Sequence, residues 1–216
     1  VAAPTSDTSE VRQRDAERTR SEILEVATLE FADKGYAGAR VDEIAARTST
    51  TKRMIYYYFG GKEQLYLAAL ENAYSVIRGI ESEVDAEAAD PVEAIRRLAE
   101  LTFDHHESHP DFLRLVSIEN IHRAEHLSKS DLLPRLADPA VGVLGRILER
   151  GRAAGVFRDD VDALDVHMVI SSFCVFRTAN RYTFQAIFQR DMLDPARRDH
   201  YREMLGDLVI DFLTAR

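Results

Sequence analysis

The chain has 216 residues, 28 basic and 37 acidic, one cysteine and no tryptophan, for a net charge of −9. A single cysteine, Cys174, excludes an internal disulfide framework and a multi-cysteine zinc site. No run approaches the roughly 18 apolar residues of a membrane span, and no basic start followed by an apolar stretch reads as a secretory signal. With 45% hydrophobic and 30% charged residues, the composition is that of a soluble, cytoplasmic globular protein with no membrane partner.

The acid is unevenly placed. Residues 1–10 carry −2, residues 11–62 carry +2 and residues 63–216 carry −9. An N-terminal part that faces nucleic acid on an acidic body fits this asymmetry.

In chain order, residues 1–10 are small and polar and read as a disordered tail. A first helix is expected from Val11 to Asp33, with Ile23, Val26, Ala27 and Phe31 on one stripe and Gly35 ending it. A short helix follows from Val41 to Thr48, then a polar break. A second short helix runs from Lys52 to Tyr58, with Thr51 as its N-cap. Phe59-Gly60-Gly61 ends it, and a further helix runs from Lys62 into the mid-eighties. Beyond that, helices are expected at 91–108, 110–126, 130–153, 162–189 and 195–215. Pro91, Pro110 and Pro195 each stand in a first helical turn. No stretch alternates with period two, so the fold class is all-α.

Residues 41–59, VDEIAARTSTTKRMIYYYF, have the shape of a helix-turn-helix. Lys52, Arg53, Tyr56, Tyr57 and Tyr58 cannot all be buried, because consecutive residues point about 100° apart. Cations and hydroxyls at the N-terminal end of such a helix suit a major groove.

Five linked pieces then become specific: Ile23-Leu24-Glu25-Val26-Ala27, Phe31-Ala32-Asp33-Lys34-Gly35-Tyr36, Val41-Asp42-Glu43-Ile44-Ala45, Ile55-Tyr56-Tyr57-Tyr58-Phe59 and Lys62-Glu63-Gln64-Leu65. In order and spacing they resemble the DNA-binding domain of the tetracycline-repressor (TetR) family. The resemblance implies a ligand-responsive transcriptional regulator, a repressor released from a palindromic operator when a small molecule binds. It implies a homodimer whose partners are double-stranded operator DNA and an effector of unspecified identity, with no cofactor. It also implies an N-terminal three-helix DNA-binding domain over 11–62 and a helical ligand-binding and dimerisation domain over 63–216. Carried over by position, Thr51, Lys52, Arg53 and Tyr57 fall where the family meets bases and nearby phosphates. Tyr56, Tyr58 and Lys62 fall at phosphate contacts. Two positions depart from the family pattern. Ser49 stands where glycine is usual and would need a positive φ or an altered turn. Arg40 replaces the usual Ser or Thr cap and adds a cation near DNA.

For the effector site, periodicity proposes two walls: Phe103, His106, Phe112, Leu115 and Ile118, and Phe173, Phe176, Arg177 and Asn180. Arg177 needs a carboxylate or an anionic ligand; Glu119 and Asp104 are the expected internal partners. His105/His109 and His122/His126 share helix faces, but nothing orders them around a metal, so no metal site is assigned. Cys174 reads as buried and structural. Tyr201, Leu205, Leu208, Val209 and Phe212 form the expected dimer stripe, paired with the 162–189 helix. No nucleophile elbow, phosphate-cradling loop or dense carboxylate pair argues for an enzyme.

Overall fold

The computed structural model describes residues 6–84 and 90–214. Among them are ten α-helices and two 3-10 turns, and no strand. The helices are α1 Ser6–Gly38, α2 Val41–Ala46, α3 Lys52–Phe59, α4 Lys62–Ser82, α5 Pro91–Ser108, α6 Pro110–Ile121, α7 Leu133–Ala153, α8 Ala163–Ala179, α9 Arg181–Phe188 and α10 Arg198–Thr214. None of the described helices is long and apolar enough to cross a membrane.

Local chemistry explains several helix ends. Gly35 breaks α1 at φ 66°, where a Cβ would be strained, and one further turn carries the helix to Gly38. Asp90 caps α5 by accepting from the backbone N–H of Val92 at 2.9 Å, with Pro91 in the first turn. Asp162 and Asp165 form a reciprocal capping box at the start of α8.

Four elements differ from the expected pattern. Helix α1 begins at Ser6, so residues 6–10 of the expected tail are helical, while residues 1–5 lie outside the described residues. Helix α6 stops at Ile121 rather than 126, because two residues, Arg123 and Ala124, take left-handed backbone conformations. The expected 162–189 helix is two helices, α8 and α9, which meet at Asn180. The expected last helix begins as a 3-10 turn at Pro195–Arg197 before α10.

The chain forms two compact units. The first comprises residues up to Ala73 together with Ile118–Ser130; the second comprises Tyr74–Ser117 and Asp131 onward. Helices α4 and α6 therefore contribute residues to both, which a linear cut near residue 62 does not anticipate. The core of the first unit includes Ile23, Ala27, Phe31, Ile44, Ile55, Leu65 and Tyr66, all at most 1% exposed. Each Ile, Leu and Phe side chain among them contributes about 1.5–3 kcal/mol by leaving water.

In the second unit, α5, α7, α8 and α10 enclose a core that includes Ile95, Phe103, Ile147, Ile170, Cys174, Leu205 and Val209. Ion pairs fasten α10 along α5. Arg202 bridges Glu100 and Asp104 at 3.1 Å each, and Arg198 reaches Asp104 and Glu107. Near the end of α7, Gly151 lets the chain fold back: a Cβ there would stand 1.9 Å from the Phe157 ring. We expect Gly151→Ala to lower stability by about 1–3 kcal/mol through overpacking, read as a shifted thermal midpoint. An unchanged midpoint would contradict this close packing.

Candidate DNA-binding and effector sites

The recognition surface is built on α2 and α3. Thr51 caps α3 by accepting from the backbone N–H of Met54 at 3.3 Å. Gly60, at φ 83°, ends the helix. Ile55 and Phe59 face inward, so the opposite face is presented outward. There Tyr57 is 77% exposed, Tyr56 41% and Arg53 exposed, while Tyr58 is half-buried. Arg53 and Arg40 make no side-chain ion pair among the described residues, so both guanidinium groups are available to an anion.

Lys52 is different. Its ammonium stands 2.9 Å from Asp42 on α2, and that hydrogen bond and charge raise its pKa. Lys62 donates to the carbonyl of Ala37 at 3.4 Å and lies 4.9 Å from the centre of the Tyr36 ring. Both cations are thus held by contacts within the protein.

Behind this surface, Glu30 ties the helices together. It is 2% exposed and pairs with Lys34 at 2.9 Å and Arg47 at 3.3 Å. Burial alone would raise its pKa, but the bond from Lys34, the Arg40 backbone N–H and the two positive charges outweigh this and hold it low. Ser49 does not adopt a positive φ. Its backbone N–H donates to Glu22 on α1 at 2.7 Å.

The expected effector walls are only partly assembled. Phe103, His106, Phe112 and Leu115 are buried in the second unit, but Ile118 belongs to the first. His106 and Phe112 meet edge to face at 5.7 Å, and Phe112 meets Tyr74 of α4 at 5.1 Å. His105, not among the expected residues, joins them. It is 2% exposed, and neither ring nitrogen has a partner among the described residues. The His106 Nδ1–H donates to the Thr102 carbonyl at 2.8 Å, which leaves Nε2 with a lone pair. Burial, reinforced by neighbouring histidines and Arg78, pushes His105 down to about 3. Burial likewise pushes His106 down to about 4, against the opposing Thr102 bond. His105 was signalled only by its i, i+4 pairing with His109; the structure stacks those two rings at 4.2 Å.

The other wall merges with the expected dimer stripe. Phe173, Phe176 and Arg177 line one open apolar groove of about 560 Å³ with Met204, Tyr201 and Leu208. Asn180 is exposed at the α8–α9 junction and does not line the groove. Arg177 is 3% exposed; its partner is Glu107 at 3.3 Å rather than Glu119 or Asp104, and its guanidinium lies 4.3 Å from the centre of the Phe103 ring. The dimer stripe also divides. Leu205 and Val209 are 0% exposed inside the protomer core, because that face of α10 packs on α5, and they have no surface left for a partner. Leu208 is 45% exposed, while Tyr201 and Phe212 are half-buried. Exposed apolar side chains that the stripe omitted continue it on α8: Leu164 at 60% and Met168 at 64%. Burial pushes the Cys174 thiol up to about 12, so it stays protonated at neutral pH.

Residues 91–209 match the tetracyclin repressor-like C-terminal domain, and residues 23–69 match the bacterial regulatory proteins of the tetR family. The chain belongs to the TetR family. It is a helix-turn-helix transcriptional regulator. It is 36% identical over 200 residues to the HTH-type transcriptional repressor NicS of Pseudomonas putida, spanning 93% of this chain and 94% of that protein. It is also 36% identical over 110 residues to the HTH-type transcriptional repressor SCO4008 of Streptomyces coelicolor, spanning 50% of this chain and 53% of that one. The fold is shared with a TetR family transcription regulator from Marinobacter aquaeolei VT8, at a TM-score of 0.74 and 19% identity over 95% of this chain and all of that one. Along this TetR-family chain, the helix-turn-helix match covers α2 and α3, and the C-terminal match spans α5 to most of α10.

Proposed function

We propose that this TetR-family regulator is a homodimeric cytoplasmic repressor that leaves a palindromic operator when a small molecule binds its C-terminal domain. The observation that carries operator binding is the outward face of α3, where unpaired Arg53 stands beside exposed Tyr56 and Tyr57. Arg53 reads a base edge, with guanine its best geometric match. Thr51, Tyr56, Tyr57, Tyr58, Lys52, Lys62 and Arg40 set register on phosphates, and the last three carry charge that releases counterions. Repression follows NicS, the Pseudomonas putida repressor that matches nearly the whole chain.

Dimerisation uses the exposed apolar side chains of α8 and α10 and the groove beside them. Effector binding uses the second unit, where neutral His105 and His106 adjoin Phe112. Each neutral imidazole offers polar nitrogen to a ligand within apolar walls.

The test is selection of genomic fragments by the wild-type protein, followed by binding at several salt concentrations. A short palindromic duplex should be enriched, with log K falling linearly against log salt. Arg53→Ala should weaken that duplex by about 10–100-fold and relax sequence preference at one position in each half-site. Absence of salt-sensitive binding to any fragment would overturn the regulator reading.

A further inference from the structure

The unit that bears the recognition helix is completed by a segment from far along the chain, Ile118–Ser130. One carboxylate fastens it. Glu119 is 1% exposed. It accepts from the Tyr66 hydroxyl at 2.9 Å, the His126 Nδ1–H at 3.2 Å, and the backbone N–H groups of His126 at 3.1 Å and Leu127 at 3.0 Å. Four donors fill the carboxylate's roughly four acceptor sites. The His126 ring in turn packs 4.3 Å from Tyr36, beyond the kink in α1, and 4.9 Å from Tyr66 on α4.

The turn held this way is strained. Arg123 and Ala124 sit side by side at φ 59° and 58°, a region that a Cβ disfavours. Such residues persist where their surroundings over-determine them. Glu119 does so twice, through its carboxylate and through its carbonyl, which accepts from the Ala124 N–H at 2.7 Å.

We propose that Ile118–Ser130 is a strained clip that sets operator-binding geometry, with Glu119 as its positioning residue. Closed, it joins the end of α1 to α4 as one stem behind α3. Opened, the turn relaxes and the recognition helix loses its fixed presentation. Helix α6, which carries Glu119, begins among residues of the effector-side unit. A displacement of that helix by about 1 Å would stretch the bonds past hydrogen-bonding range. The inference rests on the operator-binding reading above and adds the residue that controls it.

The experiment uses the duplex selected by the wild type, and the same duplex with its half-sites moved apart by one and by two base pairs. Glu119→Gln should cut the preference for natural spacing at least about tenfold, and Tyr66→Phe, which loses one bond of four, should cut it less. Ala124→Gly should keep the spacing preference and raise the melting temperature. Amide hydrogen exchange should speed up over residues 62–73 in Glu119→Gln, with α7 and α8 unchanged. An equal loss on every duplex that tracks a lower melting temperature would make Glu119 merely structural and overturn the proposal. An unchanged spacing preference would overturn it as well. If the wild type selects no duplex, the operator reading fails, and exchange over residues 62–73 alone decides whether the clip exists.

Discussion

Phe176→Asp combined with Leu208→Asp will leave the protein monomeric and weaken its hold on a palindromic operator by at least about 100-fold. Phe176 is 52% and Leu208 45% exposed in the protomer, and both line the groove between α8 and α10. Neither is needed to fill the core, which Leu205, Val209 and Cys174 occupy. The protomer should therefore still fold. A twofold interface repeats each substitution, so two changes place four carboxylates in one apolar contact. An uncompensated buried charge costs about 3–5 kcal/mol, and each 1.4 kcal/mol is tenfold in association. Without the dimer, the second half-site is no longer bound from an already anchored partner, and that avidity disappears. Light scattering gives the oligomeric state, and anisotropy on the selected duplex gives the affinity. A variant that stays a tight, operator-binding dimer would move the interface off α8 and α10.

Acid will destabilise the effector-side unit through its buried imidazoles. The sign follows from His105 and His106, whose buried rings are pushed down to about 3 and about 4 from 6.5. As pH falls below 6.5, the unfolded chain takes up protons that the folded chain refuses, so stability drops. Between pH 7 and pH 5 each ring costs roughly 2 kcal/mol, and the pair about 3–4 kcal/mol. That is a large part of a typical domain's 5–15 kcal/mol. Within the same unit His167, pushed down by burial, adds to the loss, while Glu81, whose carboxyl burial pushes up, opposes it. Glu30 and Glu119, in the other unit, do not enter this window. Their pKa values lie below 4.5, so their contributions are complete above it and fade only as pH falls through the lowered values. Urea unfolding at fixed protein concentration and at both pH values measures the difference. His105→Leu should remove about half of it. A pH dependence unchanged by His105→Leu would mean that this imidazole is solvated or charged in the fold.

The helix-turn-helix was legible because its determinants are local. Thr51 caps, Gly60 stops, and three consecutive tyrosines cannot share one buried side. The effector half was less so. Helix α10 carries apolar residues on more than one side, Leu205 and Val209 on one and Met204 and Leu208 on another, and one-dimensional spacing does not say which side meets its own protomer. Leu205 and Val209 went inward and Leu208 stayed out because α5 lies against one face only. Arg177 needed an acid, and spacing along the chain does not say which. Glu107 took it, while Glu119 was already committed to Tyr66 and His126.

The opening charge shows the same division. The sequence alone determined that the acid excess lies beyond residue 62, that the fold is all-helical, and that a helix-turn-helix precedes a larger body. These follow from composition, periodicity and short-range capping, which act within a few residues. Only the tertiary structure decided which charges are free. It paired Lys52 with Asp42, buried Glu30 under Lys34 and Arg47, and left Arg40 and Arg53 open. It also brought Glu119 53 residues back along the chain to Tyr66. The physical reason is that hydrogen bonds and ion pairs act over about 3–4 Å, and only packing of distant helices sets which groups come that close.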